Sequence, residues 1–235
     1  MIPKILVAFF IVVVSVFGIL QLWSNYSQKG RMRSGRVAIA IEEAKSKGRK
    51  SVQLPAPIPY YAAVSTLDEA LEHYTTLIVR PVAQHSQLSL DSKEIETWYK
   101  FAIVDHLSQP KINSTCSLCP AAKDIPTELQ PIGENEFILA RNIGSVVLDG
   151  IAVKSADLMF PDFESNKEYL VFLSFDPRTR LGTIELGPAG VSVIQINGDM
   201  EPISDKNRKL RDELVSRYGN LKNIKAQLKF RRFPQ

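Results

Sequence analysis

A chain of 235 residues with a formal net charge of +4 has room for one domain with a single adequate core, since about 170 residues remain after a terminal segment and a linker are set aside. The small net charge hides a segregation: residues 24–50 carry eight Lys/Arg against two acids, residues 206–235 carry ten against two, and residues 51–205 hold ten basic and 21 acidic side chains. An acidic body between basic arms argues against a nucleic-acid-binding barrel, which needs its positive groove on the sheet itself.

The first element is apolar on every face. From Ile5 to Trp23 no charge interrupts the run, and at 1.5 Å per helical residue it spans about 28 Å, the thickness of a bilayer's hydrocarbon layer. Trp23 stands where an interfacial aromatic belongs. The run is long for a signal h-region, and no Ala-x-Ala-like site follows, so residues 1–24 are expected as an uncleaved transmembrane signal anchor rather than a cleaved peptide. Lys29, Arg31, Arg33 and Arg36 after the run favour a cytoplasmic C-terminal domain.

Residues 25–64 read as a basic stalk containing a short helix over Val37 to Lys47, ended near Gly48, and an extended spacer imposed by Pro55, Pro57 and Pro59. Ser65 is expected to cap a second short helix running to about Glu72.

The pattern then changes to period two. Ile95, Thr97, Tyr99, Phe101 and Ile103 alternate with more polar neighbours, and Tyr74 to Val82 and Glu136 to Arg141 are further β-rich runs, with Pro81 placing the first at an edge or bulge. Asp149-Gly150 between apolar runs predicts a two-residue type I′ hairpin. Tyr169 to Phe175, Leu181 to Leu186 and Val191 to Ile196 complete about seven strands without long intervening helices. The fold class expected is therefore mainly β, an antiparallel small barrel or sandwich over residues 65–200. Residues 201–235 form a basic helical segment. Leu210, Leu214, Val215 and Tyr218 recur at helical spacing before Gly219, then Leu221, Ile224 and Leu228 share one face and Lys222, Lys225 and Lys229 another. Packing on the β domain is the preferred use of that last helix; contact with anionic lipid or a partner through Lys222, Lys225, Lys229, Arg231 and Arg232 is the functional alternative.

Several of these residues resemble a group of poorly characterised secreted or signal-anchored bacterial β-barrel domain proteins. They are Ile95, Thr97, Phe101 and Val104; Gly144-Ser-Val-Val with Gly150; Pro161 and Phe163 with Asn166-Lys-Glu168-Tyr-Leu-Val-Phe-Leu173; and Gly187 with Gly190-Val and Val193, together covering about residues 66–196. That group usually places Gly-Glu before the Tyr-Leu-x-Phe-Leu strand and Gly-Gly before the hairpin, where this chain has Asn166-Lys167 and Ile143-Gly144. The resemblance implies a barrel and an exported domain; it implies no catalytic residue.

Cys116-Ser-Leu-Cys119 is the one sharp local motif, in a loop from about Ser108 to Pro131. A local disulfide is the preferred reading. A redox pair lacks the expected helix, and zinc would need Cys116 and Cys119 with His106 and either His85 or His73, so a metal site is open but no cofactor is expected. Glu94 and Glu96 read as a solvated face, and Asp199, Glu201 and Asp205 lack calcium-loop spacing. Asn25 and Asn113 head glycosylation sequons, which matter only in a host that glycosylates Asn. No nucleophile elbow, zincin pair, Walker loop or dinucleotide fingerprint occurs. The leading expectation is a non-enzymatic, membrane-tethered binding module for a protein or envelope component, its domain extracytoplasmic because the cysteine pair and the resemblance outweigh the flanking charge. The alternatives are a metal- or thiol-dependent enzyme centred on Cys116, Cys119 and His106, and a scaffold subunit of a membrane assembly.

Overall fold

The structure, a computed structural model, describes residues 35–55, 61–62, 66–89, 91, 93–109, 116, 119–205 and 208–230. The anchor expected over Ile5 to Trp23 lies outside the described residues, and among the described residues no helix is long and apolar enough to cross a membrane.

The chain runs α1 (Arg36–Ser46), β1 (Ser51–Pro55), α2 (Leu67–His73), β2 (Thr75–Leu88), β3 (Ile95–Ser108), β4 (Glu136–Arg141), β5 (Gly144–Leu148), β6 (Ile151–Ala156), β7 (Glu168–Asp176), β8 (Leu181–Thr183), β9 (Val191–Ile194), β10 (Met200–Pro202), α3 (Lys209–Tyr218) and α4 (Leu221–Phe230). Strands β7, β2, β3, β4 and β8 follow one another and β8 pairs back to β7, which closes a five-stranded barrel; β9 and β10 extend the sheet from β7. The mainly β, barrel reading holds, and the sandwich alternative does not. Two pairings depart from the antiparallel pattern: β4 with β8 and β1 with β6 are parallel.

Alternation places the side chains. On β2 and β7, Leu77, Val79, Val171 and Leu173 point into the barrel with Tyr99, Phe101 and Phe137, whereas Ile78, Leu170 and Phe172 on the opposite faces pack under α2, α3 and α4. Leu221, Ile224 and Leu228 of α4 are buried in that outer cluster together with Leu107 of β3, so the apolar face of the basic helix is used in packing. Trp98 points to the opposite face from its neighbour Tyr99, yet is buried, because Ile125 and Leu129 of the loop before β4 cover it along with Ile138 and Leu181.

Of three local signals, one shifts by a residue and two hold in a setting that only the tertiary structure shows. Thr66, not Ser65, caps α2: its Oγ1 accepts from the N–H of Glu69 at 3.2 Å, so Thr66 and Glu69 stand at capping-box spacing. Pro81 does sit at a bulge in β2, but β2 is an interior strand; Pro81 is tolerated because pairing with β7 has already stopped at Val79 and the register with β3 slips between Pro81 and Ala83. The Asp149-Gly150 turn has the positive φ values of a type I′ hairpin, 50° and 78°, but the hairpin it makes belongs to a separate three-stranded sheet, β1-β6-β5. Of the stretch expected as a stalk, residues 36–55 form α1 and β1, and Val37, Ala40, Ile41 and Ala44 bury themselves against Ile151, Val153, Leu54 and Ile95.

Gly144 joins that small sheet to the barrel. The Thr97 hydroxyl donates 2.6 Å to the carbonyl of Ile143 and meets the Ser86 hydroxyl at 2.7 Å, and a Cβ on Gly144 would lie 2.1 Å from Thr97 Oγ1. With φ at 137° as well, only glycine fits.

Candidate binding site at the barrel mouth

Above Val79 and Tyr169 strands β2 and β7 part, and the slot between them would expose the barrel interior. The segment from Asp157 to Glu164 crosses this opening. Asp157 starts it with an Asx-type turn, its Oδ1 accepting from the N–H groups of Met159 at 2.8 Å and Phe160 at 3.2 Å, which turns Phe160 inward. Phe163 follows and sits edge-on to Tyr99, Phe101 and Tyr169 with ring centroids 5.3, 5.0 and 5.0 Å away. Aromatic rings therefore fill the mouth from within.

Polar groups fasten the strap on its other side. Arg141, at the end of β4, stacks its guanidinium 3.7 Å from the Phe160 ring centroid and donates to the carbonyls of Phe160 and Pro161 at 2.5 and 2.9 Å. The Tyr99 hydroxyl donates to Asp162, the Tyr61 hydroxyl donates 3.0 Å to Asp157 Oδ2, and the N–H of Glu164 donates 2.7 Å to the Tyr169 oxygen. Burial, reinforced by the neighbouring Asp162 and Asp157, pushes the phenols of Tyr99 and Tyr61 well above their ordinary range, so both stay protonated donors. Burial pulls Arg141 downward and is opposed by Tyr99 and Asp162; a guanidinium keeps its charge regardless. Tyr61 is held flat against the main chain, since a Cβ on Gly187 would lie 2.4 Å from its ring, and Ala62 donates 2.7 Å to the carbonyl of Glu185.

Outside the plug a groove of about 500 Å³ remains between residues 81–84 of β2 and residues 163–166. Val82, Ala83 and Gln84 are exposed there, and among the described residues no strand pairs with β2 on the side away from β3 beyond Val79. The groove thus combines an open strand edge with an apolar floor at Phe163 and polar walls at Gln84, Ser165 and Asn166.

The residues singled out from the sequence lie elsewhere. Cys116 and Cys119 are bonded to each other, as preferred, and lie against the Ser174 carbonyl of β7. His106 lies on β3, in register with Leu77. Among the described residues no three His, Cys, Asp or Glu side chains gather as a metal-holding group, so Cys116, Cys119, His106, His85 and His73 are not brought together as the zinc reading requires. Lys222 is exposed and Lys225 reaches back to Asp105 at 3.6 Å, while the Lys229 side chain, Arg231 and Arg232 lie outside the described residues. Glu94 pairs with Arg36, and Glu96, accepting 3.3 Å from the Trp98 indole, is raised above the ordinary carboxylate range by burial.

The cluster of Arg141, Asp157, Asp162, Tyr61 and Tyr99 escaped the sequence reading, because its members are spread over nearly the whole β region. Two signals were present: Arg141 closes a strand whose four preceding residues are apolar, and Asp157 precedes a Phe by the three residues of an Asx turn. The chain matches no protein-family model, no curated protein and no solved structure.

Proposed function

We propose that this protein is a membrane-tethered binding module whose β barrel recognises an extended peptide segment of a partner protein at the groove beside β2. The observation that carries this reading is the unpaired edge of β2 at Val82 to Gln84, facing a groove of about 500 Å³ lined by residues 81–84. An added strand gains main-chain hydrogen bonds from such an edge and specificity from pockets for alternate side chains. The filled barrel interior supports binding at the rim rather than chemistry inside, because its space is taken by Phe160, Phe163 and their neighbours. Tethering rests on the Ile5 to Trp23 run, and placement outside the cytoplasm on the Cys116–Cys119 bond, which persists in oxidising compartments.

The test is selection of a random peptide library on the detergent-solubilised full-length chain, with the groove-filled variant Ser165→Trp as counter-target. Peptides enriched on the wild type should bind the variant at least about tenfold more weakly and shift the amide resonances of Val82 to Gln84. Enrichment that is equal on both chains would overturn the assignment.

A further inference from the structure

We propose that the outer face of the small sheet β1-β6-β5 docks on the anionic headgroup layer of the membrane that anchors the chain, an inference that rests on the tethering reading of Ile5 to Trp23. The sheet has one covered face and one bare face. Leu54, Val146, Ile151 and Val153 point inward, against α1 and against Leu88 and Ile95 at the end of the β2–β3 hairpin. Alternation turns their neighbours the other way, and Ser51, Gln53, Ser145, Val147 and Lys154 are exposed.

Register arranges the bare face in two rows across the strands. Ser51, Ala152 and Val147 form one; Gln53, Lys154 and Ser145 form the other. Neither row contains an acid, although residues 51–205 carry 21 acidic side chains against ten basic ones. The one charge in the rows is Lys154, and Arg49 and Lys50 stand exposed just before Ser51. Asp149, in the turn between β5 and β6, is paired with Lys45 at 3.1 Å. A flat face of small, neutral and basic side chains suits a layer of phosphate groups, which repels the acidic remainder of the domain. It does not suit a second copy, whose Lys154 would meet this one.

The anchor delivers the sheet to that layer. Twelve residues, 24–35, separate Trp23 from Arg36 at the start of α1, and fully extended they span about 40 Å. They hold Lys29, Arg31 and Arg33 and no acid. Arg36 is fixed at the hairpin tip, where its Nε donates 3.2 Å to the Lys93 carbonyl and its guanidinium pairs with Glu94. Because α1 lies on the covered face, the tether enters the domain one helix layer, about 10 Å, from the bare face, well within its reach. Docking is then an intramolecular step, so a small surface suffices.

Fluorescence quenching on the full-length chain in lipid nanodiscs tests this, with a dye attached at Val147→Cys while the native cysteines remain bonded to each other. Acrylamide, an uncharged quencher in the water, should act about threefold or more weakly in discs of phosphatidylcholine mixed with phosphatidylglycerol than in discs of phosphatidylcholine alone. A dye at Val104→Cys, exposed on β3 and about 30 Å along the strand from Ile95, should be quenched alike in both. Lys154→Glu and, separately, Ser145→Glu should return Val147 to its value in phosphatidylcholine, as should high salt. Equal quenching at Val147 in the two lipids, or protection that survives both substitutions, would overturn the docking. The tether is read apart from it: release of the chain from phosphatidylcholine vesicles by alkaline carbonate overturns the anchor, whereas a retained chain with Val147 open in both lipids overturns the docking alone.

Discussion

The guanidinium of Arg141 stacks 3.7 Å from the Phe160 ring centroid and, through Nη2, donates 2.5 Å to the carbonyl of the same residue. One side chain thus fixes both the ring that plugs the barrel mouth and the backbone that delivers it. Replacing Arg141 with Met leaves the carbonyls of Phe160 and Pro161 short of donors and should cost about 2–4 kcal/mol in urea unfolding. Lys restores charge but neither the fork nor the stacking plane, so Arg141→Lys should recover only part of that loss. Equal stability of Arg141→Lys and the wild type would show that the fork is immaterial.

Alkaline stability should report the phenols of Tyr61 and Tyr99, the two raised furthest by their surroundings. A tyrosine in the unfolded chain ionises near pH 10, whereas Tyr61 and Tyr99 in the fold ionise higher. Between those values the unfolded chain holds fewer protons than the folded one, so their contribution is whole below pH 10 and is lost as pH rises above it. The steepest part owed to Tyr99, which is fully buried, is at most about 1.4 kcal/mol per pH unit. Denaturant titrations at pH 9, 10 and 11 should show this decline, and Tyr61→Phe/Tyr99→Phe should shrink it, leaving the part owed to Tyr74 and Tyr169, whose phenols burial also raises.

Gly144→Ala should destabilise by about 2–4 kcal/mol, since the new methyl meets Thr97 Oγ1 and the φ of 137° is hostile to any side chain. Adding Thr97→Ala removes the closest clash but leaves Ser86 Oγ at 2.9 Å and the strained φ. The double-mutant cycle should therefore show favourable coupling without full recovery. Purely additive losses would mean that backbone strain is the whole effect.

The N-terminus of α2 is satisfied from the far end of the chain: Glu213 of α3 accepts the Leu67 N–H at 2.7 Å, and Arg217 pairs with Asp68 at 2.5 Å. Glu213→Ala should cost about 1–2 kcal/mol and raise amide exchange across Leu67 to Glu69. Glu213→Gln keeps an acceptor and should lose much less. An equal loss in both would assign the effect to charge rather than to capping.

Much of the fold was legible because it depends on neighbours in the chain. Period-two alternation marked β3, β-rich runs marked β4 and β7, Asp149-Gly150 marked the hairpin by its need for positive φ, and Gly219, at φ 77°, ended α3. Near misses such as Ser65 for Thr66 are one-residue shifts in a local motif. The pairing of Cys116 with Cys119 was likewise preferred from their spacing, and the structure joins them.

Contacts between distant segments decided the rest. Nothing local distinguishes a stalk helix from α1, whose apolar residues find Ile95 and Val153 far along the chain. Trp98 is buried only because a loop folds over it, and β2 has an open edge only because β7 stops at Val79. The site shows this most sharply: Tyr99 reads as one more core position of an alternating strand, and Tyr61, Arg141, Asp157 and Asp162 each look like an ordinary surface residue in sequence. The sequence by itself determined the alternating strands, the turns and the apolar run of Ile5 to Trp23, because backbone sterics and side-chain period act over a few residues. Barrel closure, the strap and the groove beside β2 depend on which distant segments meet, and that was decided only by tertiary packing.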